Sequence, residues 1–176
     1  MKSINVLFVC LGNICRSPTA HGVFETLVKA EGLSDIIAVD SAGTGDWHIG
    51  HPPDKRATLA ALNQGYELSH LRARQVRVED FSQFDHILAM DRVNLSNLKR
   101  MAPTDFVGKL GLFMDYADLS GPAEVPDPYI GGKGDFEQVL SFIENASEGL
   151  LRSLRDNQLR SFRDNQLRSL RDKQVR

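Results

Sequence analysis

A cysteine, an arginine and a serine near the start of the chain have a spacing that suits phosphate chemistry. Five residues separate Cys10 from Arg16, and Ser17 follows directly, in the order Cys10-Leu11-Gly12-Asn13-Ile14-Cys15-Arg16-Ser17. An apolar run at residues 4–9 precedes this segment, and Pro18 opens a helical pattern after it. The order predicts a strand, a tight loop and a helix, with backbone N–H groups gathered at a helix N-terminus where an anion binds.

The same residue types suggest how a bound phosphate would react. Inward N–H groups and a nearby guanidinium favour the thiolate form of Cys10, which is the nucleophilic form of cysteine. The planar fork of Arg16 suits two phosphate oxygens at once. Ser17 either donates a hydrogen bond to the thiolate or caps the helix, and both roles are compatible. The segment predicts attack of Cys10 on phosphorus, with loop residues 11–15 and Ser17 binding the phosphate.

A second candidate lies late in the chain, in Val125-Pro126-Asp127-Pro128-Tyr129. The two prolines stiffen this loop. A leaving group that departs from phosphorus needs a proton, and a carboxylic acid opposite the nucleophile can supply it. An ordinary Asp-Pro turn is the alternative explanation. Beside the Cys10 segment, we interpret Asp127 as the general acid.

Apolar runs and helical patterns alternate along the chain, which predicts an α/β fold. Four short apolar runs are interpreted as strands, at residues 4–9, 35–40, 85–90 and 109–114. Helical spacing between and after them predicts right-handed crossovers and three layers, a four-stranded parallel sheet flanked by helices. Because loops at the carboxyl ends of parallel strands converge, the phosphate-binding loop after the first strand should meet Asp127.

Composition limits the setting of this chemistry. The chain has 176 residues, 41% of them hydrophobic, which is enough for one domain with a real core. It has no run long enough for a membrane span and no secretory signal pattern. Its two cysteines, Cys10 and Cys15, make a poor disulfide framework, so we expect a reducing, cytoplasmic location. The net charge of −2 gives no sign of nucleic-acid binding.

The end of the chain is an internal repeat of eight residues, at 151–158, 159–166 and 167–174. From residue 150 onward, seven Arg and one Lys stand against three Asp. We predict a catalytic domain at residues 1–154 and a basic extension at 155–176 that is helical or frayed. The extension is either a solvated helix end or a helix for self-association or partner binding, while its Asp residues argue against nucleic acid.

These motifs resemble the low-molecular-weight protein tyrosine phosphatase family. The likeness covers roughly residues 4 to 152 and rests on the Cys10 segment, the late Asp-Pro-Tyr, Trp47 and the segments at 40–43, 73–75 and 89–91. It implies two-step hydrolysis of phosphotyrosine in protein substrates through a phosphocysteine, without metal or other cofactor. Cys10 would be the nucleophile, Arg16 the phosphate ligand, and Asp127 first acid and then base.

The resemblance also implies roles for residues around the cleft. Asn13 and Ser41 match residues that brace the loop, and Trp47 and Tyr129 match aromatic walls. Cys15 matches a second loop cysteine that can form a reversible disulfide with the first. The family often has a bracing histidine where this chain has Leu71. Here the nearest histidine is His70, which we assign to loop support.

Three alternatives remain on the residues alone. A protein-arginine phosphatase would use the same fold, but relatives of that kind tend to have threonine where this chain has Ile14, and an apolar residue favours an aromatic ring. Arsenate reductase of the disulfide-shuttling kind would need cysteines downstream of Cys15, and the chain has none. The glutaredoxin-coupled kind stays open on cysteine count, but the intact Asp127 loop argues against it. A non-catalytic phosphoprotein-binding module is the third alternative; loss of Cys10 or Asp127 would indicate it, and both are present.

Overall fold

Four parallel strands form the centre of the molecule. The computed structural model describes residues 3–118 and 120–174, with side chains up to residue 158. The strands are β1 (Ile4–Cys10), β2 (Ile37–Gly43), β3 (His86–Ala89) and β4 (Lys109–Leu112). They lie side by side in the order β2-β1-β3-β4. β1 is therefore central, and the segment that follows it leaves from the middle of the sheet.

Helices cover both faces of the sheet, as the alternating pattern predicts. They are α1 (Arg16–Ala30), α2 (Lys55–Asn63), α3 (Asp80–Gln83), α4 (Arg92–Met101) and α5 (Lys133–Gln174), with a 3-10 turn at Phe113–Tyr116. Asp54 and Asp91 cap α2 and α4, because their side chains accept hydrogen bonds from the backbone N–H groups of Arg56 and Asn94. The predicted three-layer α/β fold is confirmed.

Alternation along β1 separates the two halves of the core. Val6 and Phe8 point to the face covered by α1 and α5, while Leu7 and Val9 point to the face covered by α3 and α4. All four side chains are fully buried. A strand that is apolar on both faces is typical of the centre of a parallel sheet. This packing fixes the position of Cys10, the last residue of the strand, at the carboxyl edge of the sheet.

The largest differences from the predicted strand boundaries, of two or three residues, are in β2 and β4. β2 begins at Ile37 and runs on to Gly43, because residues 41–43 pair in parallel register with residues 8–10 of β1. β4 ends at Leu112, because the chain turns into the 3-10 helix there. Polar and small residues can thus belong to a strand wherever a neighbouring strand supplies the hydrogen-bond ladder.

Helix α5 begins near the carboxyl ends of the strands and crosses the whole sheet. Phe136 packs with Cys15 close to its start, and Leu150 and Leu154 join the core 14 and 18 residues further on. Arg155 then pairs with Glu31, just beyond the end of α1, at 2.8 Å. The helical backbone continues to Gln174, while side chains from residue 159 onward, and residues 175–176, lie outside the described part. The domain boundary at residue 154 stays a prediction.

Candidate active site

The segment between β1 and α1 is a loop whose carbonyl groups point outward. Backbone N–H groups of two neighbouring segments hold three of them, with N–O distances of 2.9, 2.9 and 2.8 Å for Thr44 to Cys10, Gly45 to Leu11 and Asp54 to Ile14. Because the C=O and N–H of one peptide point in opposite directions, the N–H groups of Leu11, Gly12 and Cys15 are turned toward the centre of the loop. Those of Gly12 and Cys15 have no acceptor within the described residues. This arrangement is an anion-binding cradle at a helix N-terminus.

Asn13 makes the turn at the base of this cradle. Its φ of 55° lies in the left-handed region, which asparagine tolerates better than most residues. The side chain is buried and fully hydrogen-bonded: its oxygen accepts from the Arg74 N–H at 3.0 Å, and its nitrogen donates to Ser17 and Ser41 at 2.8 and 3.0 Å. These three bonds stabilise a backbone conformation that would otherwise be unfavourable.

The Cys10 thiol lies at the centre of the loop and is only 3% exposed. Its Sγ is 3.0 Å from the Ser17 hydroxyl and 3.2 Å from the Asn13 N–H. Both groups can donate to a thiolate, so each stabilises negative charge on sulfur. α1 begins at Arg16, so Ser17 is not the N-cap; its hydroxyl is turned toward the sulfur instead. The sequence alone left those two roles of Ser17 open.

Arg16 is buried beside the same sulfur and is held by two carboxylates. One terminal nitrogen donates to Asp91 at 2.6 Å and to the Val125 carbonyl at 3.2 Å, and the other donates to Asp127 at 3.4 Å. Burial disfavours the charge, but Cys10, Asp91 and Asp127 outweigh it and raise the pKa of Arg16. The guanidinium is therefore a fixed positive charge at the cradle, tied to the loop that carries Asp127.

The loop carrying Asp127 is far more exposed than the cradle. The Asp127 side chain is 47% exposed and accepts a hydrogen bond from the Tyr129 N–H at 3.1 Å. The Val125 N–H donates to the Met90 carbonyl at 2.8 Å, which fixes one end of the loop to β3. As the sequence predicts, this loop meets the Cys10 loop at the carboxyl edge of the sheet.

Arg56, which the sequence analysis did not single out, holds the other end of that loop. Its guanidinium makes two bonds of 3.0 Å to Asp54 and one of 3.4 Å to the Gly131 carbonyl. It also lies over the Tyr129 and Phe136 rings, 5.6 and 4.6 Å from their centroids. The backbone N–H of Asp54 in turn donates to the Ile14 carbonyl, so one residue pair links the two loops. Its sequence signal is only an Asp-x-Arg at a helix start.

Between the two loops lies a cleft of about 160 Å³. Its lining residues are Cys10, Leu11, Gly12, Ile14, Cys15, Arg16, Trp47, His48, Asp127 and Tyr129. Trp47 and Tyr129 are 67% and 48% exposed, so they stand at the entrance and are not part of the core. The His48 ring lies against Gly12 and was missed by the sequence analysis, although it directly follows Trp47. The cleft suits a flat group that ends in a phosphate.

Cys15 faces the same cleft but has a different environment from Cys10. Burial, with Asp54, Cys10 and Asp127 nearby, raises the pKa of Cys15 to about 12. Its thiol is therefore protonated at neutral pH and a poor nucleophile. Both cysteines are free thiols in this structure.

The structure does not bring His70 to the loop. Its side chain is exposed, and the Asn13 side chain bonds to Ser17, Ser41 and Arg74, with none of its hydrogen bonds going to His70. Ser41 lies where the resemblance places it. A different histidine, His21 of α1, reaches the network at Ser41. A histidine on the apolar face of a helix gave no sequence signal for this contact.

Gly43 is another residue that sequence reasoning missed. A Cβ at this position would lie 2.7 Å from the Leu11 carbonyl oxygen and 3.1 Å from the Asn13 nitrogen. Only glycine lets β2 approach the loop this closely. In the part of the chain with described side chains, no cluster of His, Cys, Asp and Glu is arranged to hold a metal ion.

Comparison with known proteins agrees with this geometry. Residues 5–160 match the model of the family described as low molecular weight phosphotyrosine protein phosphatase. The low molecular weight protein-tyrosine-phosphatase YfkJ of Bacillus subtilis is 43% identical over 152 residues, which cover 86% of this chain and 96% of the relative. A protein tyrosine phosphatase from Entamoeba histolytica, solved with Hepes in its active site, superposes with a TM-score of 0.85 at 36% identity, covering 89% and 99% of the two chains.

A thiol in a phosphate cradle, on a parallel sheet of this order, defines a class of cysteine-dependent phosphatases. The chain belongs to the low molecular weight phosphotyrosine protein phosphatase family. It is a protein tyrosine phosphatase, a hydrolase of phosphoric monoesters, as the resemblance implied. A Drosophila arginine phosphatase has the same fold, with a TM-score of 0.80 at 35% identity over 88% of this chain and 98% of that one.

Proposed function

We propose that Cys10 attacks the phosphorus of phosphotyrosine in a protein substrate. The thiolate forms a sulfur–phosphorus bond while the bond from phosphorus to the phenolic oxygen breaks. Asp127, in its protonated form, gives its proton to that oxygen, so tyrosine leaves as a neutral phenol. The phosphoryl group remains on Cys10 as a phosphocysteine.

The cradle stabilises the charge that spreads over the phosphoryl oxygens in this step. The N–H groups of Gly12 and Cys15 are turned toward the centre of the loop by the outward carbonyls before them, and Arg16 adds a positive charge beside them. Donors fixed in advance cost no reorganisation when the charge develops. In phosphoryl transfer, positioning and electrostatic stabilisation supply most of the catalysis.

The second step returns the enzyme to its starting state. Water attacks phosphorus and gives a proton to the Asp127 carboxylate, the sulfur–phosphorus bond breaks, and inorganic phosphate is released. Cys10 leaves as a thiolate. The Ser17 hydroxyl and the Asn13 N–H, 3.0 and 3.2 Å from Sγ, stabilise it as a leaving group.

One observation carries this proposal: the Cys10 sulfur lies at the centre of a loop whose carbonyls are bonded outward. The experiment measures phosphate release from phosphotyrosine, phosphoserine and phosphoarginine peptides, with a chelator and no added metal. We expect release from phosphotyrosine, with slow or no release from the others. No release from any peptide, with Cys10 shown to be reduced, contradicts the proposal.

The walls of the cleft support an aromatic substrate. Trp47 and Tyr129 stand on its rim and Ile14 also lines it, so a phenyl ring can pack between apolar surfaces. A phosphoguanidinium group would leave its N–H donors against these side chains. Faster release from phosphoarginine than from phosphotyrosine would keep the role of Cys10 and overturn the choice of substrate.

We propose that the C-terminal repeats have a role outside catalysis, in self-association or partner binding. We also propose that the enzyme works in a reducing, cytoplasmic location. The catalytic residues all precede residue 130, and within the described residues no helix is both long and apolar enough to cross a membrane. Removing residues 155–176 should leave kcat and KM unchanged for small substrates. Size-exclusion chromatography of the full chain and the shortened chain then tests association. If both chains elute as monomers of their own mass, self-association is contradicted. A large fall in kcat on removing the extension contradicts the boundary at residue 154.

A further inference from the structure

His21 makes a buried contact that the mechanism above does not use. It lies in α1, is 7% exposed, and places its Nδ1 3.2 Å from the Ser41 hydroxyl oxygen. Ser41 in turn touches Asn13, and Asn13 touches Ser17 and the loop. A chain of hydrogen bonds therefore runs from His21 to the Cys10 sulfur, and the direction of each bond can be assigned.

The backbone N–H of Arg74 can only donate a hydrogen bond. It lies 3.0 Å from one terminal atom of the Asn13 amide, so that atom must be the oxygen. The other terminal atom is therefore the nitrogen, with two hydrogens. Two hydroxyl oxygens face it, those of Ser17 at 2.8 Å and Ser41 at 3.0 Å. Each serine oxygen accepts one of these hydrogens.

Each serine hydroxyl then has its own proton to donate. Ser17 has Cys10 Sγ at 3.0 Å and the Ala42 carbonyl at 3.3 Å as acceptors. The described contacts of the Ser41 oxygen are with Asn13 and His21. Its proton therefore goes to Nδ1 of His21, which must be unprotonated at that nitrogen. The imidazole is neutral, with its hydrogen on Nε2.

The surroundings of His21 agree with a neutral ring. Burial lowers the pKa of His21, and the Arg74 guanidinium acts in the same direction. Glu25 and Asp40 oppose this shift without reversing it. A neutral histidine that accepts at Nδ1 completes the network, since every hydrogen from Arg74 to Ser41 then has an acceptor.

We propose that His21 is a positioning residue for the phosphate-binding loop. By accepting the Ser41 proton, it keeps the two Asn13 amide hydrogens bonded to the oxygens of Ser17 and Ser41. The Ser17 proton is then directed to Cys10. Without this acceptor, Ser41 can rotate and compete for the Asn13 amide. Asn13 then has a weaker hydrogen bond to Ser41, one of the bonds that stabilise its left-handed backbone conformation. The Ser17 hydroxyl then donates more often to the Ala42 carbonyl and less often to Cys10. This proposal rests on the proposed role of Cys10 as nucleophile.

The first test reads the tautomer in the unaltered enzyme. Long-range ¹⁵N–¹H correlation spectra of the histidine rings distinguish a hydrogen on Nδ1 from one on Nε2. We expect the pattern of a neutral ring with Nε2 protonated for His21, assigned by its loss in His21→Asn. A protonated Nδ1, in either a neutral or a charged ring, overturns the proposal. This result does not depend on turnover.

The second test measures the sulfur that His21 is proposed to influence. His21→Leu removes the acceptor, and we expect kcat and the rate of Cys10 alkylation by iodoacetate to fall about threefold to tenfold, the effect of losing one buried hydrogen bond. His21→Asn keeps an acceptor near the position of Nδ1 and should retain more of both rates. His86→Leu is the matched control, because His86 is also a partly buried histidine with a lowered pKa, and its Nδ1 has no partner among the described residues.

A double-mutant cycle separates positioning from simple packing. In a Ser41→Ala background there is no hydroxyl to donate to Nδ1 of His21. His21→Leu should therefore change kcat less than twofold in that background. The same loss in both backgrounds overturns the proposal, as does a wild-type rate in His21→Leu alone. If His21→Leu does not fold, the tautomer and the rates of His21→Asn still decide. Activity that survives Cys10→Ser is a separate result, which overturns the proposed function.

Discussion

The two loops that form the cleft are built in opposite ways. In the phosphate-binding loop, Cys10, Asn13 and Arg16 are each at most 3% exposed, and their polar atoms have defined partners. In the acid loop, Asp127 and Tyr129 are about half exposed, and Ile130 is 96% exposed. The group that binds a dianion needs donors that are already in place. The group that gives a proton to a bulky leaving group, and then takes one from water, must be reached from solvent.

The comparison predicts that damage to the buried loop affects every substrate, while damage to the acid loop depends on the leaving group. The largest expected effect is that of Cys10→Ser. A serine hydroxyl is not ionised at neutral pH and leaves phosphorus poorly, so turnover should fall below detection for all substrates. Phosphate release is the measurement, with thermal unfolding as the control for folding. Retained activity would remove the nucleophile assignment.

Asp127→Ala should have the next largest effect, and a selective one. Loss of a general acid typically costs about 10²- to 10⁴-fold. The full loss is expected for phosphotyrosine, whose phenolate is a poor leaving group. An aryl phosphate with a strongly acidic phenol needs little protonation, so its first step should slow much less. Burst kinetics separate the two steps, and an equal loss for both substrates would show that Asp127 is not the acid.

Gly43→Ala tests how closely the buried loop is packed. The added methyl would lie 2.7 Å from the Leu11 carbonyl oxygen, which is backbone and cannot move alone. We expect a loss of about 1–3 kcal/mol in unfolding free energy, as for other overpacked sites, and a lower kcat/KM for every substrate. Gly132→Ala, near the acid loop, is the control, because a Cβ there would meet nothing within 4 Å. Similar losses in both variants would contradict the comparison.

Arg56→Ala should have the smallest effect of the four. It removes the clamp between Asp54 and the acid loop, so Asp127 and Tyr129 are held less well. A fall of about threefold to tenfold in kcat/KM for phosphotyrosine is expected, as for the net loss of one ordinary hydrogen bond, because the Arg56 side chain is partly exposed to water. In an Asp127→Ala background most of this loss should disappear. Arg92→Ala, which breaks an exposed pair with Glu124 at 3.5 Å, is the control and should change little. An equal loss in both arginine variants would mean that Arg56 has no special role.

The fold and the centre of the site were predictable because their signals are local. Apolar runs mark the strands, and Cys10, Arg16 and Asp127 belong to short motifs at strand ends. The loop support was not predictable in the same way. His21, Gly43 and Arg56 act through contacts with residues distant in sequence, and each has an ordinary local pattern. His70 was chosen for its place in the sequence, whereas the three-dimensional contact is made by a histidine from another helix.

The course of helix α5 places the C-terminal extension at the edge of the domain opposite the cleft. It starts beside the cleft, where Phe136 packs with Cys15, and leaves the domain at the opposite edge, where Arg155 meets Glu31. From Leu154 to Gln174 the helical backbone advances about 30 Å at 1.5 Å per residue. Any surface or second copy that binds this extension would therefore contact the side of the enzyme opposite the cleft. The cleft would remain turned toward the solution, open to phosphorylated proteins that approach from the free side.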